Sequence, residues 1–290
     1  MCITFNSANL AKTKIYAGES KLDGKYVHVI AYQNKAITNG PNAMILPIPA
    51  AVMPTSENVI DTRRFARFLD DIHKANRIAS KYESRSFSPG AQVFNVGSYT
   101  VVLAERSQAI AEAILCVPEK KRPAVSLAVL RAFDELYPGW PLAVCCWDGT
   151  INAEPLLWWY EPKAPGWLFA PALDAHDGEP PDLDADVLLD HHVAFGSTLD
   201  PIGNEVSYTD QIPRAARELL PARVRGTRLT GTMPNGDFWR AAGAYTGAAL
   251  RCAPPGRATP KGFMAGLVER LRRSCPATPK AQVPLDGWHG

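Results

Sequence analysis

A thiol stands at the second position of the chain: Cys2 follows the initiator Met1 and opens the strand-like run Cys2-Ile3-Thr4-Phe5. A small residue there permits removal of Met1, which would put a thiol and a free α-amine on one residue. The thiol is then a nucleophile, and the amine, with an unperturbed pKa of about 7.7 to 8.0, can take its proton directly or through one water. Acyl transfer by such a group needs donors aimed at the developing oxyanion. Asn6, Asn39, Asn42 and Asn95 occupy strand or turn positions from which a strand-built site can draw them, and Asn42 and Asn95 are the expected donors. The competing reading is plain turn chemistry, in which Asn is a standard residue.

A second constellation is Asp174-Ala175-His176-Asp177 followed by Asp190-His191-His192. Imidazole and carboxylate together suit a divalent metal such as zinc. Strand alternation puts Asp190 and His192 on one face and His191 on the other, so the economical ligand sets are His176, Asp190 and His192, or His176, Asp177 and His191. The spacing matches no zinc signature such as HExxH. A histidine in this region is equally suited to act as acid or base beside a thiol.

The opening Met1-Cys2-Ile3-Thr4-Phe5 resembles the start of the cysteine-type N-terminal nucleophile (Ntn) hydrolases, the superfamily that includes bile-salt and penicillin acylases and glutamine amidotransferase domains. The resemblance spans only that opening. It implies an αββα sandwich, with Cys2 at the end of a central strand attacking an amide or related acyl bond, and Asp23 as counterpart of the carboxylate that orients the amine. Acylases of the group carry an arginine a short way behind the cysteine, whereas here no Arg precedes Arg63 and only Lys12 and Lys14 stand in that region. The expected function is therefore an Ntn-like amide or acyl hydrolase acting on a small-molecule or peptide amide, without a cofactor. The rivals are a metal-dependent hydrolase centred on His176 and His192, and a non-catalytic interaction or assembly protein whose sheets serve as a scaffold.

Other features carry less chemistry. Cys145 and Cys146 lie in an apolar strand where burial raises a thiol pKa, so they read as inert core. Trp140, Trp147, Trp158, Trp159 and Trp167 read as core, and the basic stretches 217–228 and 269–273, which lack stacking aromatics, as solvated faces. The run Gly231 to Gly236 is a turn, since it lacks the GK[ST] ending of a phosphate loop.

The elements that must position these groups belong to an α+β chain with extensive, mainly antiparallel sheets and flanking helices. With 46% hydrophobic and 21% charged residues in 290, the sequence can bury a large core. A net charge of +2 does not call for nucleic acid. Without a membrane-length apolar run or a secretory leader, and with scattered cysteines, the expected setting is cytosolic and reducing. Residues 1–275 read as one domain and 276–290 as a flexible tail. Strands are expected at 14–17 and 26–32 around the Asp23-Gly24 turn, at 43–49 as an edge or strand terminus because of its prolines, and at 93–103, 142–147, 156–160, 167–169 and 187–195. Apolar spacing predicts helices over 62–81, after Ser107, after Pro123, over 213–220 and over about 260–273. A Gly-rich region covers 226–247, and 177–186 reads as a surface loop.

Overall fold

The step from Leu22 to Lys25 turns the chain back on itself as its composition requires: Asp23 and Gly24 both take positive φ, 49° and 80°, the combination that lets a two-residue turn follow the twist of paired strands. In the computed structural model, which describes residues 3–76, 93–243 and 251–253, this hairpin is the longest among the described residues. The strands in chain order are β1 (Ile3–Thr4), β2 (Asn9–Leu22), β3 (Lys25–Ile37), β4 (Pro41–Pro47) and β5 (Val93–Val96). There follow β6 (Tyr99–Ala104), β7 (Leu142–Asp148), β8 (Ile151–Asn152), β9 (Leu156–Tyr160) and β10 (Trp167–Ala170). The last are β11 (Asp186–Ser197), β12 (Asn204–Glu205), β13 (Arg223–Pro234), β14 (Asp237–Ala241) and β15 (Arg251–Ala253). The helices are α1 (Phe68–Lys74), α2 (Ser107–Ala113), α3 (Leu127–Leu136) and α4 (Arg214–Arg217).

Among the described residues the strands form three sheets. One runs β1-β4-β7-β6-β5, one runs β12-β13-β11-β2-β3-β8 with β9 also on β3, and a small one runs β10-β14-β15. Pairing is antiparallel except between β11 and β2, so the class is α+β with several mainly antiparallel sheets.

Alternation along each strand sorts side chains into two cores. Ile15 and Ala17 of β2, Ile30 and Tyr32 of β3 and Trp158 of β9 join Met44 and Val101 of the five-stranded sheet in one core, which α2 and α3 extend with Ile110, Val129 and Phe133. Tyr16, Val29, Ala31 and Leu157, on the opposite face of the larger sheet, pack under Phe65, Phe68, Leu69 and Ile72 around α1 and Ala216 of α4. Helix α1 thus covers one face of the larger sheet, and α2 and α3 pack on the core that the five-stranded sheet shares with its other face. Each fully buried large apolar side chain of α1 contributes about 1.5–3 kcal/mol. Charge pins that helix too: Arg67 Nε lies 2.9 Å from Asp210 Oδ1, and Asp71 accepts from Thr209 N at 2.7 Å and Oγ1 at 2.8 Å.

Several expected elements change form. The predicted strand 93–103 is a hairpin, because Gly97 takes φ 54° and Ser98 N and Oγ both donate to Glu154 at 2.8 Å. The predicted helix 62–81 begins as a single 3-10 turn, Arg63–Phe65, before α1; its end past Asn76 lies outside the described residues. Pro41 and Pro47 fall at the two ends of β4, where a missing N–H costs least, yet β4 is flanked by β1 and β7 and is no edge. The Gly-rich region holds β13 and β14, with Gly231 (φ 104°) inside β13. The described residues all fall in one compact unit, 1–256. The expected helix at 260–273 and the tail 276–290 lie outside the described residues. No helix among the described residues is long and apolar enough to cross a membrane.

Candidate functional site

The start of β1 is gripped from two sides. Ile3 and Thr4 pair with Ile45 and Met44 of β4, and on the other side Ile3 forms a parallel bridge with Ala175. Thr4 N donates to Ala175 O at 3.0 Å and Ala8 N to His176 O at 2.8 Å, so residues 175 and 176 lie alongside the chain's first described segment. Flanking Ala175, Asp174 and His176 meet: Nε2 of His176 is 2.8 Å from Oδ1 of Asp174, with the two side chains 18% and 10% exposed.

That loop is held by the β13–β14 turn. Asn235 Oδ1 accepts from Asp174 N at 2.8 Å, while its Nδ2 donates to Asp174 O at 2.8 Å and Asp182 O at 2.9 Å. Two residues on, the fully buried Asp237 accepts from Ala172 N at 2.7 Å, Leu173 N at 3.0 Å and Tyr137 Oη at 2.7 Å. Burial raises the Asp237 carboxyl above the usual carboxylate range, against the opposing pull of these hydrogen bonds. Ile3, Leu173, Tyr137 and Asp237 share the lining of a cavity of about 10 Å³, room for about one water.

Cys2 lies outside the described residues, one position before Ile3. The other expected catalytic residues are not gathered there. Asn42 is buried, and its amide ties down the segment after β1: Nδ2 donates to Asn6 O at 2.8 Å and Ser7 O at 3.3 Å, while Oδ1 accepts from Asn6 N and Ala43 N. Both amide hydrogens are committed, and Asn42 sits three residues along β4 from Ile45, roughly 10 Å from the level of Ile3. Asn95 is on β5, four strands across the sheet from β1 or roughly 19 Å, and accepts from Thr100 Oγ1 at 2.6 Å. Asp23 is exposed at its hairpin tip in the other large sheet, where it helps line a surface cavity with Lys21, Thr198 and Arg217.

The second constellation also separates. Asp190 and His192 share a face of β11 as alternation requires, but Asp190 pairs with Arg228 at 3.0 Å and the buried His192 packs against His73, ring centroids 5.6 Å apart. His191 faces the opposite core, and Asp177 caps its own turn by accepting from Glu179 N at 3.1 Å. No group of three or more His, Cys, Asp or Glu among the described residues is placed to hold a metal ion. Cys145 and Cys146 are buried in β7, and burial pushes the Cys146 thiol up to about 12, which leaves it unreactive at neutral pH.

A polar cluster that sequence reasoning missed lies at the far end of the β2–β3 hairpin. Glu19 and His28 are cross-strand partners, both buried, and Tyr26 Oη sits 2.5 Å from Glu19 Oε2, 3.1 Å from His28 Nε2 and 3.2 Å from Pro165 O. The shortest contact assigns the tyrosine proton to Glu19, so Nε2–H of His28 donates to Tyr26. Burial lowers His28 to about 4, the Pro165 carbonyl and Glu19 charge opposing it, and His28 is neutral at pH 7. In the sequence only a histidine inside an apolar strand hints at this cluster. Asn235 was legible as part of the expected 231–236 turn, but its partners Asp174 and Asp182 were not, and nothing in the sequence singled out Asp237.

Comparison of the chain with protein-family models, curated proteins and solved structures returns no match.

Proposed function

We propose that the chain is an Ntn-like hydrolase that cleaves an amide or related acyl bond with processed Cys2 as nucleophile and its α-amine as base. The observation that carries this reading is the bridge between Ile3 and Ala175, which brings the Asp174 and His176 pair alongside the start of β1. The α+β fold with mainly antiparallel sheets is compatible with the class and does not by itself select a chemistry. The substrate is a small-molecule or peptide amide, no cofactor takes part, and a reducing cytosolic setting keeps the thiol competent.

The test is turnover of p-nitrophenyl acetate and of acyl-amide probes by protein made without an N-terminal tag. Cys2→Ala is expected to abolish Cys2-dependent turnover at unchanged melting temperature, and Cys2→Ser to leave only slow residual activity, because a hydroxyl is a far weaker nucleophile at neutral pH. Full activity in Cys2→Ala removes the reading.

A further inference from the structure

We infer that the cavity between the tip of the β2–β3 hairpin and the end of α4 binds a short zwitterionic peptide with both termini free and apolar side chains. The site belongs to the larger sheet and rests on no part of the Cys2 reading.

Three segments enclose it: the hairpin end at Lys21, Asp23 and Gly24, the connection after β11 at Thr198 and Leu199, and the chain that leaves α4 at Arg217. Its volume is about 550 Å³, within the range of about 300–1,000 Å³ usual for small-ligand sites. One buried hydroxyl ties the three walls together. Ser20, 0% exposed, donates its single O–H to Glu218 O and lies 2.7 Å from Thr198 Oγ1, while Thr198 N donates to Glu19 O at 3.1 Å. With that proton committed to Glu218, Thr198 must supply the proton of the Ser20–Thr198 bond, and any further bond of Thr198 Oγ1 is one that it accepts.

The charges select the ligand. Lys21 and Asp23 stand on the hairpin wall and Arg217 and Glu218 on the α4 wall, so each wall carries one cation and one carboxylate. Among the described residues no ion pair joins any of the four. Arg217 gives one N–H to Ile212 O at 3.1 Å, which fixes the guanidinium and leaves the rest of its fork for a carboxylate. A ligand of one sign would meet two like charges here, whereas a ligand with an ammonium and a carboxylate meets an opposite charge with each. Apolar contact completes the match: Leu199 is 43% exposed at the cavity, a large side chain in water that a ligand side chain would cover. An extended peptide of two to four residues spans about 7–14 Å, comparable with the breadth of a cavity of this volume.

The test is titration of isotope-labelled full-length protein with the dipeptide leucyl-leucine, followed by backbone amide NMR shifts, with its N-acetyl form and its C-terminal amide as comparisons. The expected result is saturable binding with a dissociation constant of about 0.1–1 mM, shifts at Gly24, Thr198 and Leu199, and affinity lowered about 10-fold or more by blocking either terminus. Arg217→Gln is expected to remove the preference for the free carboxylate over the amide, a selective change that a loss of fold does not produce. Lys120→Gln, exposed and outside the cavity, is expected to leave that preference intact. No saturation by about 10 mM, equal affinity for free and blocked dipeptides, unmoved Gly24, Thr198 and Leu199, or an unchanged preference in Arg217→Gln overturns the inference and leaves the Cys2 reading standing. Cys2→Ala is expected to bind the dipeptide as wild type does; loss of binding there would move the ligand to β1 and overturn the inference.

Discussion

Two polar clusters are buried at the ends of the sheets, and they are built in opposite ways. The Glu19, Tyr26 and His28 cluster arises within one hairpin: strand register alone makes Glu19 and His28 neighbours, and Tyr26 closes the set by bonding both. The Asp174, His176, Asn235 and Asp237 cluster arises from two distant parts of the chain, the loop after β10 and the β13–β14 connection, set beside the first strand. In the first, side chains satisfy one another. In the second, Asn235 and Asp237 bind the loop backbone, Asp237 accepting from Tyr137 as well, and the effect is to place two other side chains, Asp174 and His176, beside the start of β1. Burial of polar groups is therefore no guide to function by itself. What distinguishes the second cluster is that its clamping residues and its positioned residues are different residues.

The largest effect that sharpens this contrast is expected at the clamp. Asp237→Ala removes the acceptor for Tyr137 and for the backbone N–H groups of Ala172 and Leu173, stranding three buried donors at about 1–3 kcal/mol each, for a loss of about 4 kcal/mol in urea unfolding. A loss below about 1 kcal/mol would mean that the loop is not held by this carboxyl.

Next comes an acid effect confined to the hairpin cluster. The folded state holds His28 at about 4 against an ordinary 6.5, so between those values the unfolded chain binds more protons than the folded one. Stability contributed by neutral His28 is complete above pH 6.5 and is lost as pH falls towards 4, by about 3 kcal/mol for a group this buried. The measurement is the difference between wild type and His28→Gln in chemical unfolding across that range; parallel curves would show that His28 is not the group responsible.

Tyr26→Phe is expected to cost less, about 1–2 kcal/mol, because it removes the hydroxyl that Glu19 accepts from while leaving the ring in place. Its effect on turnover should be small, whereas Asn235→Ala, of comparable cost to stability, should reduce turnover through the loop it clamps. Similar catalytic losses in both variants would erase the distinction between the clusters.

How far these clusters were legible in the sequence follows from their construction. Apolar runs identify β7 and β9, and composition, alternation and turn chemistry identify β2, β3, β11, the Asp23-Gly24 turn and the opposed faces of Asp190 and His191, because those depend on neighbours a few residues apart. The hairpin at Gly97 was absorbed into one strand because a lone Gly-Ser step is a weak turn signal, and β13 was hidden by its glycines, Gly226 and Gly231. The site was less legible still. Cys2, Asp174 and His176 stand out by residue type, but nothing local says that Ala175 bridges Ile3 or that Asp237 reaches Leu173. Asn42 and Asn95 drew notice for the same chemistry and turn out to be tied to Asn6, Ser7 and Thr100.

The central claim, that position 2 is the nucleophile of a site assembled beside β1, is tested most directly by quenching untagged protein in acid during turnover of p-nitrophenyl acetate and mapping the peptides by mass spectrometry. The expected result is a chain lacking Met1 with a single acetyl group on Cys2, absent from Cys2→Ala. Retained Met1, or acetyl groups only on other residues, would contradict it.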